Sequence, residues 1–218
     1  MRIAVLGTGM VGRAVALGLA HLGLDVVVGT RDPSVSLART GTGDFGTWAA
    51  LNSEIGVAAY AEAAREADLV VNALNGEASL AGIRDANIAD GTVLLDIANP
   101  LDFSGDLPVL FVGNNDSLGE QIQRVFPRLR VVKSLNTMTA AAMVEPQLIA
   151  DGDFTTFVSG NDDAAKAQVM SLLGSLGHQD VIDLGDITTA RGTEALMLAW
   201  IRLMGPLGSP YFTWKVAR

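Results

Sequence analysis

The stretch Arg2-Ile3-Ala4-Val5-Leu6-Gly7-Thr8-Gly9-Met10-Val11-Gly12 decides the fold. Arg2 to Leu6 form an apolar run of strand type that enters a Gly-x-Gly-x-x-Gly turn. From Met10 to Leu22, apolar residues recur at helical spacing around an Ala-rich interior. A second apolar run, Val26-Val27-Val28, follows Gly23-Leu24-Asp25 and stops at Gly29-Thr30-Arg31, completing a βαβ unit of about 30 residues. The expected crossover is right-handed and parallel. In this setting Gly7 permits the tight turn, Gly9 lets a pyrophosphate approach the backbone, and Gly12 allows close helix packing. Thr8, Met10 and Val11 complete the loop, and the free N–H groups at the helix start favour negative charge. The spacing therefore predicts nucleotide binding rather than a mere strand-to-helix turn.

Outward from this unit, strands alternate with helices. Asp32-Pro33 reads as a helix start, since Asp caps free N–H groups and Pro suits the first helical position. Thr40 to Trp48 is rich in Gly and poor in periodic apolar residues, which predicts a mobile loop before a short helix at Ala49 to Leu51. Strands are expected at Ile55 to Ala58, Asp68 to Leu74, Val93 to Ala98, Val109 to Val112, Arg130 to Leu135, Phe154 to Val158 and Val181 to Leu184. Helices are expected at Tyr60 to Ala67, Glu77 to Asn87, Asp116 to Phe126, Ala164 to Leu176 and near Thr189 to Met204, with a loop from Asn99-Pro100 to about Pro108. No fixed-period repeat appears. The whole reads as an α/β protein with a Rossmann-type doubly wound, mostly parallel sheet and a small C-terminal helical extension. Residues 1–145 are expected to form the nucleotide-binding domain, and 146–218 a smaller strand-helix-strand-helix portion that completes the pocket.

Composition narrows the function classes. Among 218 residues, 49% are hydrophobic and 18% charged, the balance of an ordinary packed globule. The formal charge of −9 lacks the basic footprint that nucleic acids require, so no nucleic-acid partner is expected. The segment 188–218 is locally cationic, with Arg191, Arg202, Lys215 and Arg218 against Glu194. No cysteine is present, and neither His21 nor His178 has a second ligand at metal-binding spacing, so no metal site is expected. The apolar run from Ala195 to Gly205 falls short of the roughly 20 residues that span a bilayer, so no membrane association is expected. The chain opens directly into a strand pattern, without a signal-peptide layout, and reads as cytoplasmic.

Cofactor choice is read at the end of the second strand. There a carboxylate holds the ribose hydroxyls of NAD, while a guanidinium accommodates the NADP phosphate. Thr30 and Arg31 supply a hydroxyl and a guanidinium, which favours NADP(H). Asp32 competes as a ribose ligand, but Pro33 after it fits a helix cap better. Leu74-Asn75 and Ala98-Asn99 stand at strand ends, where ribose and nicotinamide lie in open parallel sheets. Asn75-Gly76 and Asn99-Pro100 also suit ordinary turns. Asn136, Thr137, Met138 and Thr139, just beyond a later strand, are the candidate substrate-binding residues, or caps of the next element. Met138, Trp200 and Met204 line a pocket or form core.

Gly7-Thr8-Gly9, Val28-Gly29-Thr30-Arg31, Val132-Lys133-Ser134-Leu135-Asn136-Thr137 and Gly160-Asn161-Asp162-Asp163 together resemble the F420-dependent NADP oxidoreductase family over nearly the whole chain. The resemblance implies a Rossmann domain with a small C-terminal portion, usually dimeric, passing hydride between NADP(H) and coenzyme F420. Where F420-using members carry a His-Thr-Ile-Pro type turn, this chain has Asn136-Thr137-Met138-Thr139. An NADPH-dependent reductase of a small imine, carbonyl or flavin acceptor is therefore the second reading, and a non-catalytic NADP(H) sensor the third. A homodimer is expected through the apolar C-terminal helix and the Tyr211-Phe212-x-Trp214 tail.

Overall fold

A computed structural model describes residues 1–218. The opening unit comprises strand β1 (Arg2–Leu6), helix α1 (Met10–His21) and strand β2 (Asp25–Thr30). Helix α2 (Pro33–Leu37) follows, its first turn capped by Asp32 Oδ1, which accepts from the Val35 amide at 3.2 Å. Helix α3 (Phe45–Leu51) starts earlier than the Gly-rich sequence suggests, so residues 45–48 are helical rather than loop. The reason is tertiary: Phe45 is buried and stacks on Trp48 at 5.5 Å, an anchor that outweighs the local glycines.

The chain continues through β3 (Gly56–Ala59), α4 (Tyr60–Ala64), β4 (Leu69–Asn72), α5 (Gly76–Ala86) and β5 (Val93–Asp96). Two short strands, β6 (Leu101–Asp102) and β7 (Val109–Leu110), pair antiparallel outside the main sheet, so Val109 does not begin one of its strands. Then come α6 (Leu118–Val125), β8 (Arg130–Ser134), β9 (Thr155–Gly160), α7 (Asp163–Leu176), β10 (Asp180–Asp183) and α8 (Ala190–Leu207).

The eight remaining strands form one sheet in the order β10-β9-β8-β5-β4-β1-β2-β3. Every neighbouring pair is parallel except β8 and β9, which run antiparallel. The strands beyond residue 146 thus extend the same sheet. Alternation along β1 sends Ile3 and Val5 to one face and Ala4 and Leu6 to the other. The first face packs on α1, α3 and α7, the second on α4, α5 and α6. Ile3, Leu69 and Leu94 are completely buried, each worth roughly 1.5–3 kcal/mol of transfer free energy.

From β1 the chain winds outward to β2 and β3, then returns to β4 on the other side. The strand order reverses there, and diverging connections open a crevice at the carboxyl ends of β1 and β4.

Candidate active site

The glycine loop lies at this crevice. Gly7 has φ +125°, and a Cβ there would sit 2.6 Å from the Ala73 carbonyl oxygen, so the loop holds β1 against the end of β4. A Cβ on Gly12 would come within 2.2 Å of the Gly7 carbonyl oxygen, which fixes how closely α1 approaches the turn. Gly9 differs: a Cβ there would meet no protein atom within 4 Å. Bare backbone therefore faces open space at the start of α1, and no side chain caps that terminus. A pyrophosphate fits this cradle, because the unpaired N–H groups supply its donors.

Beside the cradle is a cavity of about 410 Å³. Gly9, Met10 and Val11 form one edge, and the ends of β4 and β5 contribute Leu74, Asn75, Ala98 and Asn99. Met138, Thr139 and Met143 come from the segment after β8, Met197 and Trp200 from α8, and Phe103 from the β6–β7 hairpin. The structure thus brings together Gly9, Met10, Val11, Leu74, Asn75, Ala98, Asn99, Met138 and Thr139 from four separate stretches. Trp200 joins them, while Met204 does not. No lining residue carries an ionisable side chain.

The other candidates stand around this wall. Asn136 and Thr137 are buried behind it. Asn136 Nδ2 donates to Asn99 Oδ1 at 2.9 Å and to the Thr193 carbonyl at 3.1 Å, and the Thr137 carbonyl accepts from Thr213 Oγ1 at 3.3 Å. At the end of β2, Thr30 is buried and its hydroxyl pairs with Ser36 Oγ at 2.7 Å. Arg31 is exposed beside Tyr60, whose phenol is pushed up by burial while the Arg31 charge opposes that shift. Asp32 is a helix cap: bonds from Ser34 and Val35 hold its carboxyl below the usual range.

Sequence reasoning missed a buried ionic cluster behind the Ala98 wall. Lys133 Nζ lies 2.9 Å from Asp96 Oδ2 and 2.8 Å from Glu194 Oε1, and donates to the Ala98 carbonyl at 2.6 Å. Asp96 Oδ1 accepts from Asn72 Nδ2 at 2.8 Å, and Glu194 accepts the Leu118 and Gly119 amides at the start of α6 at 2.8 and 3.1 Å. Desolvation pulls Lys133 down, but the two carboxylates more than offset it and hold its pKa above the usual lysine value. The signal was present: Asp96 at the end of Val93–Asp96 and Lys133 within Arg130–Ser134 are charges in apolar runs and require partners if the strands are buried.

The aromatic tail is engaged within the chain. Trp200 stacks on Phe212 at 5.2 Å and donates to its carbonyl at 3.0 Å, and the Trp214 carbonyl accepts from the Thr155 amide at 2.8 Å. Tyr211 stays exposed.

The family model "NADP oxidoreductase coenzyme F420-dependent" matches residues 2–100. The chain is similar to the F420-dependent NADP reductase of Methanocaldococcus jannaschii, 27% identical over 200 residues that cover 90% of this chain and 89% of that protein. It is 28% identical over 200 residues to metalloreductase STEAP3 of Rattus norvegicus; the match covers 90% of this chain but 36% of that protein, so this chain spans little more than a third of that relative. Among solved structures, it resembles one from Arthrobacter sp. FB24 provisionally named an F420-dependent NADP-reductase, with 57% identity, 99% coverage of both chains and a TM-score of 0.97. No helix is long and apolar enough to cross a membrane.

Proposed function

The chain belongs to the family of coenzyme F420-dependent NADP oxidoreductases, and on that premise we propose that it passes hydride between NADP(H) and a flat deazaflavin of the F420 type seated in the neutral cavity. The observation that carries this reading is the continuity of the open Gly9 cradle with a cavity that has no ionisable lining. Bound nicotinamide supplies or accepts the hydride. The chain's residues hold two rings face to face and exclude water, a task of positioning rather than acid–base chemistry. A carbonyl or imine acceptor needs a proton on the atom bonded to the reacting carbon. A deazaflavin instead takes hydride at a ring carbon, spreads the charge over its pyrimidine ring and takes its proton from solvent at a remote ring nitrogen. No lining side chain is a titratable donor, which favours the deazaflavin over a small-molecule acceptor.

In this reading Gly7 to Gly12 hold the pyrophosphate, Leu74, Asn75, Ala98 and Asn99 flank the nicotinamide riboside, and Met138 and Thr139 face the acceptor. Asn136 and Thr137 act from behind, by fixing that wall. Arg31 takes the phosphate of the adenosine ribose, while Thr30 shapes the turn that presents it. The enzyme works in the cytoplasm as a homodimer, joined through the exposed Leu203, Leu207 and Tyr211 at the end of the chain.

The test is the purified protein with NADPH and oxidised F420, followed by loss of the F420 visible absorbance, beside a parallel reaction with free flavin. Bleaching with F420 alone supports the reading. Tight NADPH binding without bleaching would move the assignment to another acceptor or to a sensor.

A further inference from the structure

We propose that Arg39 is a second specificity-determining residue for the cofactor, a guanidinium that meets the phosphate of the adenosine ribose together with Arg31. The inference rests on the NADP(H) reading above. It starts from a shortage of donors at the end of β2. The hydroxyl of Thr30, the expected partner of Arg31, is buried and paired with Ser36, so it serves the turn rather than a ligand.

The chain after α2 turns back toward the glycine loop. There Arg39 Nη2 donates to Thr8 Oγ1 at 3.3 Å, and Thr8 lies between the first two glycines of the motif. The Arg39 backbone is held by a built contact: its carbonyl accepts the Gly46 amide at 2.8 Å, and a Cβ at Gly46 would fall 2.5 Å from that oxygen. The same loop is tied to α1 by Arg13, whose Nη1 donates to the Gly43 carbonyl at 2.7 Å. Arg39 is therefore placed by packing, while its charged end remains exposed.

Charge supports the same conclusion. Most cations of this acidic chain are matched with a carboxylate; of those that form no ion pair, Arg65, Arg84 and Arg202 are scattered, while Arg13, Arg31 and Arg39 gather around the glycine loop and the end of β2. Arg13 is bound to a carbonyl, which leaves Arg31 and Arg39 as the two guanidiniums of this region with neither a carboxylate nor a carbonyl partner. Arg31 stands beside Tyr60, which packs on one core layer, and Arg39 is carried by the loop between α2 and α3 near the other. A dianionic phosphate seated between them receives donors from both, and Thr8 orients the second.

The experiment is fluorescence titration of wild type, Arg39→Met and Arg39→Lys with NADPH and with NADH, alongside thermal midpoints without nucleotide. The expected result is that Arg39→Met weakens NADPH about tenfold, the loss of one charge-assisted bond, while NADH changes less than about twofold. Arg39→Lys should retain part of the discrimination, and midpoints should stay level because the side chain is exposed. Equal weakening of both nucleotides would mean that Arg39 clamps the shared pyrophosphate, and unchanged NADPH affinity would mean that it touches neither; each overturns the proposal. A wild-type protein that binds neither nucleotide would overturn the NADP(H) reading itself, and the proposal with it.

Discussion

Asn99 and Asn136 grip one another across the ends of β5 and β8: Asn136 Nδ2 donates to Asn99 Oδ1 at 2.9 Å, and Asn99 Nδ2 donates to the Asn136 carbonyl at the same distance. Asn99 lines the cavity and Asn136 is buried behind it. The second proton of the Asn136 amide reaches the Thr193 carbonyl on α8, the helix that carries Met197 and Trp200. One side chain thus joins three walls of the cavity. Asn136→Ala should leave Asn99 Oδ1 without its donor, cut the tie to the Thr193 carbonyl on α8 and cost about 1–3 kcal/mol of stability. It should also raise KM for the acceptor more than it weakens NADPH. Calorimetry and steady-state kinetics measure the two effects, and unchanged stability would contradict the role assigned to the pair.

Gly9 and Gly12 differ in what surrounds them, so alanine should act differently at each. Gly9 has φ −72° and ψ 179°, a conformation alanine adopts freely, and its Cβ would enter open space. Gly9→Ala should fold with an unchanged thermal midpoint and lose tenfold or more in NADPH affinity. Gly12→Ala puts a methyl within 2.2 Å of the Gly7 carbonyl oxygen and should lower the midpoint before any ligand is added. Equal midpoint losses in both variants would refute the distinction.

Lys133 compensates two buried carboxylates. Lys133→Met should leave Asp96 and Glu194 without their buried counter-ion and destabilise the fold by about 3–5 kcal/mol. The pH dependence has a definite sign. The native pKa of Lys133 is raised, so its contribution is fully present below the ordinary lysine value of about 10.4 and disappears as pH climbs through the higher native value. Denaturant unfolding from pH 8 to 11 should show stability declining at the alkaline end in wild type and a flatter profile in the variant. A variant as stable as wild type would show that the carboxylates find other partners.

How legible this was depends on whether the cause is local. The glycine spacing, the apolar strand at Arg2 to Leu6 and the Asp32 cap depend on neighbours in sequence, and each formed where the pattern placed it. The antiparallel direction of β9 was hidden because an apolar run such as Phe154 to Val158 marks a strand without its polarity. The helical start at Phe45 was hidden because burial of that ring, not the glycine-rich context, decides it. Asp96, Lys133 and Glu194 lie far apart in sequence and meet only once β5, β8 and α8 are assembled. The strand ends at Asn75 and Asn99 were legible as cavity residues because position in a parallel sheet suffices to place them.

His178 extends this reasoning to acid. It is buried, its Nε2 faces the Met143 carbonyl at 3.0 Å, and its Nδ1 faces Thr156 Oγ1 at 2.8 Å. A carbonyl only accepts, so Nε2 carries the proton and Nδ1 takes the threonine hydrogen, an arrangement that suits the neutral ring. Burial depresses its pKa, although the bond to Met143 pulls the other way. An unfolded chain therefore binds this proton more readily than the native one. Stability is at its full value above the ordinary histidine value of about 6.5 and falls as pH drops from there through the lower native value. Protonation places a hydrogen on Nδ1, which can then no longer accept from Thr156, while the bond to Met143 persists. Thermal midpoints taken from pH 8 to pH 5 should fall in wild type and stay flatter in His178→Gln, whose side chain remains neutral. Parallel profiles for the two proteins would place the acid sensitivity elsewhere.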